Sequence, residues 1–300
     1  MTPGEQMQQA ITLQNLLEQD SQLSSLPEIF IRVSELLDDE DSSAARIGQV
    51  IETDPSLSSR ILKMVNSAFY GFPHSIASIS QAISILGRDR IRQILIGVVL
   101  GGVFGNMKNK VFFMEDYWQQ SVKTAILSRL FGLQSTLDQQ AEALFTAGLL
   151  HQIGRLILVQ KIPDQSIQVQ QLMENSDADL YQAEQQLLGF SHCEVGAAFI
   201  RLWGLPEILA QIAANYIEPD RAEEFQQETR LVNLANRLSF LLSPIADEEL
   251  DFALDDIAGW ELTGLDKQQI MQCCQTADEQ VYQVMESLGM VQIKIDLDDD

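Results

Sequence analysis

The stretch AGLLHQIGRLIL, Ala147 to Leu158, places an imidazole and a primary amide side by side in an otherwise apolar run. Leu149, Leu150, Ile153, Leu156 and Ile157 recur at helical spacing, so the run reads as a helix with one buried face. His151 shares the other side with Ala147, Gly148, Gly154 and Arg155. Small residues on that side let a neighbouring helix approach closely, which suits a hydrogen-bonded structural histidine. The same pair has a second reading as a remnant polar pocket, and the rest of the chain must separate the two.

Outward from this stretch, helix signals dominate. Ser25 and Glu28 fit a capping box before IFIRVSELL, and Asp54-Pro55 supplies an N-cap and a first helical position. Leu57, Ile61, Leu62 and Val65 then keep helical spacing; GFPHS (71–75) breaks the chain; Ile79, Ile83 and Leu86 begin a helix that Gly87 stops. A further apolar helix follows Asp89. On the other side, DYWQQSVKTAILSRLFGL precedes the opening stretch as a helix. Ser191 with Glu194 forms a capping box flanked by the staple Phe190 and Val195. Gly204 ends that helix, Pro206 opens the next, and ETRLVNLANRLSFLL is another. The terminal VQIKIDLDDD alternates like a short strand. The polar GNMKNK (105–110) is the best boundary, which divides the chain into 1–105, 106–220 and an acidic C-terminal extension, 221–300.

Composition sets limits on function. The 300 residues are 46% hydrophobic and 7% aromatic, which provides a core and leans toward an all-α chain. With 43 acidic against 19 basic residues the formal charge is −24, and such a body repels a nucleic-acid backbone, so no DNA partner is expected. Cys193, Cys273 and Cys274 form no paired framework, which suggests a reducing compartment. MTPGEQMQQA lacks the basic and apolar regions of a signal peptide. The run from Ile94 to Phe104 is well short of the ~20 residues that cross a bilayer. Together these place the protein in the cytoplasm, away from membranes. There is no P-loop, GxGxxG, nucleophile elbow or paired CxxC. Arg88, Arg90 and Arg92 gather in GRDRIRQ, where Arg88 and Arg92 share a face and form a candidate contact patch; a solvated face is the plainer reading. Trp118 and Trp203 fall at core positions.

Two stretches carry a family resemblance: ILKMVNSAFYGFPHSIASISQAISILG (61–87), and the set formed by Trp118, Ser121, Thr124 and Ala125 with GLLHQIGRLIL and LGFSHCEVGAAFIRLWGLP (188–206). Together they resemble the HDOD domain, an output domain related to the HD metal-dependent phosphohydrolases, over roughly Leu23 to Pro219. The resemblance implies an all-α, HD-related helical bundle with an N-terminal helical subdomain, in a bacterial signalling context. GFP (71–73) precedes the dyad and has phenylalanine for tyrosine, so it reads as a turn and not as the HD-GYP motif.

The resemblance also places His151 at the dyad histidine, Gln152 at the dyad aspartate, Ser121 at an early histidine, His192 at a later one, and Asn215-Tyr216 where relatives often carry a histidine pair. A catalytic centre of this kind needs several imidazoles and an anionic bridge to turn a bound water into a nucleophile. Glutamine offers one neutral oxygen, and Glu194 is already explained by capping. Ser121, His151, Gln152, His192 and Asn215 therefore read as a vestigial pocket with no catalytic residue, metal or cofactor. His192, in a first helical turn, is expected to be neutral because the positive end of the dipole disfavours an imidazolium. The expected function is a non-catalytic scaffold that contacts protein partners, with a small-molecule or nucleotide ligand as an accessory. The alternatives are a metal-dependent phosphohydrolase or cyclic-nucleotide phosphodiesterase, and a nucleotide sensor that does not hydrolyse.

Overall fold

A computed structural model describes residues 12–18, 27–105, 107–242 and 245–291. Ser25 and the alternating segment from Gln292 onward lie outside the described residues. The elements are α1 (Leu13–Glu18), α2 (Glu28–Asp38), α3 (Ala44–Ile51), α4 (Pro55–Val65), α5 (Ile79–Leu86), α6 (Arg88–Phe104), α7 (Met114–Gln134) and α8 (Ala141–Leu150). They continue as α9 (Ile153–Lys161), α10 (Pro163–Glu174), α11 (Leu180–Leu188), α12 (His192–Leu202), α13 (Glu207–Asn215), α14 (Gln226–Leu238), α15 (Asp247–Asp255) and α16 (Lys267–Leu288), with no strand among the described residues. The all-α expectation is met.

Local chemistry fixes the helix ends. Asp54 accepts from the Leu57 amide at 3.0 Å ahead of Pro55. The backbone amide of Ser191 donates to the Glu194 carboxylate at 2.8 Å, and Phe190 and Val195 are buried as the staple requires. Gly87 joins α5 to α6 with φ of 85°, a conformation that favours glycine.

Helix α7 forms the axis. It is buried on almost every side and packs against α8, α14 and α16, while α9 packs on α12 and α12 on α13. Trp118 and Phe131 are fully enclosed, and Trp203 is also buried. Lys123, buried on α7, is held by Asp278 of α16 and the Leu241 carbonyl. A cation this deep is tolerated only when paired.

The opening stretch is two helices, not one. His151 donates through Nδ1 to the Gly148 carbonyl at 2.6 Å, the oxygen that the Gln152 amide would take in an unbroken helix. The chain turns at His151-Gln152 and restarts at Ile153. The 138–161 run is long and apolar enough to cross a membrane, but 83% of its most apolar window is buried inside the protein, as in a core helix pair.

Candidate functional site

The break between α8 and α9 drops the side chains of His151 and Gln152 into a buried polar line between α7 and α14. Arg155, one turn into α9, donates to Gln152 Oε1 at 2.8 Å. An arginine has no acceptor, so this bond orients the amide and points its nitrogen the other way. Gln152 Nε2 donates to Ser121 Oγ at 3.1 Å and Gln120 Oε1 at 3.3 Å, and Gln120 Nε2 donates to Asn236 Oδ1 at 3.1 Å. Asn236 Oδ1 also lies 3.0 Å from His151 Nε2. The Tyr117 hydroxyl donates to the Gln152 carbonyl at 3.2 Å.

A second buried set lies beside it. His192 Nδ1 donates to Glu184 Oε2 at 2.6 Å, and its backbone amide donates to the same oxygen at 2.7 Å. Nε2 of the ring is 2.7 Å from the Tyr216 hydroxyl. The Tyr216 ring stands edge-on to His151 at 4.8 Å between centroids, so the phenol fills the space between the two imidazoles.

The two histidines titrate in opposite directions. Burial lowers the His151 pKa to about 4, despite its bonds to Gly148 and Asn236. Burial also works against charge on His192, but Tyr216, Cys193 and Glu184 outweigh it and hold that ring well above the usual histidine value. Of these, the carboxylate in direct contact with Nδ1 is the strongest physical cause. The neutral His192 expected from the helix dipole is therefore corrected: a carboxylate ion pair overrides a partial charge at a helix end.

His151 makes one prediction at this point. Its folded pKa lies below the unfolded value of ~6.5, so folding excludes a proton that the unfolded chain takes up. The residue costs nothing above pH ~6.5 and removes stability as pH falls toward 4, by about 3 kcal/mol once both values are passed. A ring-proton NMR titration should place the His151 midpoint near 4; a midpoint near 6.5 would refute this assignment.

Of the residues picked out in the sequence, Ser121, His151 and Gln152 meet in one hydrogen-bonded group, and His192 reaches them only through Tyr216. Asn215 faces elsewhere and donates to the Gln211 carbonyl at 2.8 Å. Gln120, Asn236 and Glu184 were not singled out, because they come from helices distant in sequence or carry no spacing signal, whereas Tyr216 was named only as a position where relatives often carry a histidine. The arginine cluster is engaged inside the chain. Arg88 reaches the carbonyls of Leu37, Asp39, Glu40 and Ser42, Arg92 pairs with Asp38 at 2.6 Å, and Arg90 lies 3.6 Å from Glu142.

These residues do not fit a catalytic metal. His151 Nδ1 is spent on the Gly148 carbonyl and Nε2 is closed off by Asn236 Oδ1, the Gln152 oxygen faces a guanidinium, and the Glu184 oxygen nearest His192 is taken. Among the described residues, no group of three or more His, Cys, Asp or Glu side chains could hold a metal ion.

Known proteins share this architecture. A Shewanella amazonensis protein described as a candidate phosphohydrolase superposes with a TM-score of 0.74 at 23% identity, covering 93% of this chain and 97% of its own. An HDOD domain protein of unknown function from Geobacter sulfurreducens gives 0.68 at 22% identity, over 90% and 93%. At such identity these likenesses show the fold. An uncharacterized protein of Treponema pallidum is 24% identical over 217 residues, which are 71% of this chain and 41% of that relative. The chain thus spans about two-fifths of the length of the curated relative it matches. The family model for the HDOD domain matches residues 23–219, most of the described core including α7 to α13, and the chain belongs to the HDOD family.

Proposed function

We propose that this chain is a non-catalytic signalling protein of the cytoplasm that works by binding other proteins through an HDOD scaffold. The observation that carries this reading is the fate of the dyad. Gln152 is a neutral amide clamped by Arg155, and Tyr216 occupies the space between the two histidines. An uncharged oxygen facing a guanidinium cannot neutralise or bridge divalent ions. What the fold retains is a rigid helical frame. Phe113, Phe240 and Leu242 are 79%, 66% and 68% exposed around a groove of about 490 Å³ beside Gln120 and Arg155, which supports a protein-contacting face.

The test offers purified protein a panel of nucleotides and cyclic nucleotides with manganese, iron or zinc, alongside metal analysis. The expected result is no turnover and no stoichiometric metal. Turnover that is lost in His151→Ala would overturn the reading in favour of a phosphohydrolase.

A further inference from the structure

The groove beside Gln120 and Arg155 adjoins a second depression of about 440 Å³, and the two share Phe112, Phe113 and Asp116. Each is of the size that receives several side chains. Phe113, Phe240 and Leu242 stand exposed along them as an apolar strip. Met290 forms part of the wall of the second depression. Gly289, with φ of 75°, ends α16 just before it. The chain therefore leaves its last helix inside this groove, whereas α1, at the other end, packs on α12.

Beyond Val291 the sequence continues QIKIDLDDD (292–300). In an extended segment, alternation puts Ile293, Ile295 and Leu297 on one side and Lys294, Asp296 and Asp298 on the other. At ~3.3 Å per residue the chain from Met290 to Leu297 extends roughly 23 Å, longer than two adjoining depressions each about 8 Å across.

We propose that the segment 292–300 of the same chain lies along this groove, with Ile293, Ile295 and Leu297 against the Phe113, Phe240 and Leu242 strip. The charges run in matching order. The depression at Met290 carries Lys108, Glu115 and Asp116, an excess of acid that suits Lys294. The farther one carries Arg155, which no carboxylate pairs among the described residues, and the aspartates follow Lys294 in sequence. Exposed pairs of this kind add little affinity but set direction, and burial of the apolar side supplies the attraction. The consequence for signalling, a contact face that is free only when the segment lifts, rests on the reading given under Proposed function; the docking itself does not, because it is measured without a partner or a substrate.

The test places a nitroxide on the full chain through Asp299→Cys, since Cys193, Cys273 and Cys274 are buried. Methyl NMR of dilute protein then reads Val111 and Leu242, which line the farther depression. Both should lose most of their intensity relative to the reduced label. Ile295→Asp with Leu297→Asp should restore them, and so should Phe113→Asp at its exposed position, while signals elsewhere stay native. Signals untouched by the label, or quenched equally in both variants, would overturn the proposal. Quenching seen only between a labelled chain and a separate isotope-labelled chain would overturn it as well, by giving the groove to the segment of a second copy.

Discussion

Gly154→Ala is expected to cost about 4 kcal/mol or more of folding stability, a large share of the 5–15 kcal/mol that holds a typical domain. A Cβ at this position would lie 1.9 Å from the His192 carbonyl oxygen and 2.8 Å from the Gly196 amide nitrogen. Both are backbone atoms of α12, so no rotamer change relieves the clash and the two helices must move apart. The cost therefore exceeds the 1–3 kcal/mol usual for overpacking against side chains. Separation also displaces the first turn of α12, which holds His192 against Glu184. Gly196 is the control, because a Cβ there meets nothing closer than 3.3 Å. Alanine also gains up to about 1 kcal/mol of helix propensity over glycine, so Gly196→Ala should change stability by no more than about 1 kcal/mol. Urea unfolding of both variants decides the matter: equal costs would mean that the close backbone approach is not what glycine serves at 154.

That approach was legible in the sequence, and its counterpart in the polar core was not. The small face of Gly148 and Gly154 signalled a close helix neighbour, and the structure supplies Ala125 of α7 at the first and His192 of α12 at the second. The caps at Asp54 and Ser191 were equally plain, because a cap is local chemistry within four residues. The break at His151-Gln152 was hidden by an apolar periodicity that runs through it; a side-chain bond to Gly148 ends α8, and no pattern of hydrophobic residues reports that. The partners of the two histidines were hidden for a different reason. Asn236 lies 85 residues from His151 and Tyr216 lies 24 from His192, so tertiary packing alone brings them together. Glu184 is only eight residues from His192, but it sits mid-helix in YQAEQQLL, where a glutamate reads as a solvated residue. Reading α12 by itself led to the dipole and to a neutral ring. The neighbouring helix reverses that answer, since a buried carboxylate at contact distance outweighs half a charge at a helix end.

Glu184→Ala should follow Gly154→Ala in severity, at about 3–5 kcal/mol, the usual cost of removing one partner from a buried ion pair. The carboxylate is 3% exposed and accepts from both the ring and the backbone amide of His192, so alanine strands two donors and an imidazole in the core. The pH dependence distinguishes this from a plain packing loss. The folded His192 pKa is raised above the unfolded value of ~6.5, so its contribution is complete below that pH and declines as pH rises through the folded value. Glu184→Gln keeps the shape and an acceptor but removes the charge that sustains the shift. Its cost should be greatest below pH ~6.5 and shrink on the alkaline side, where the wild type also loses the imidazolium. This window is separate from that of His151, whose penalty accrues only on the acid side, between ~6.5 and about 4. Denaturant unfolding of wild type and Glu184→Gln at several pH values across neutrality yields the difference directly. A difference that stays flat with pH would mean that His192 is neutral in the folded chain and that Glu184 serves only as a hydrogen-bond acceptor.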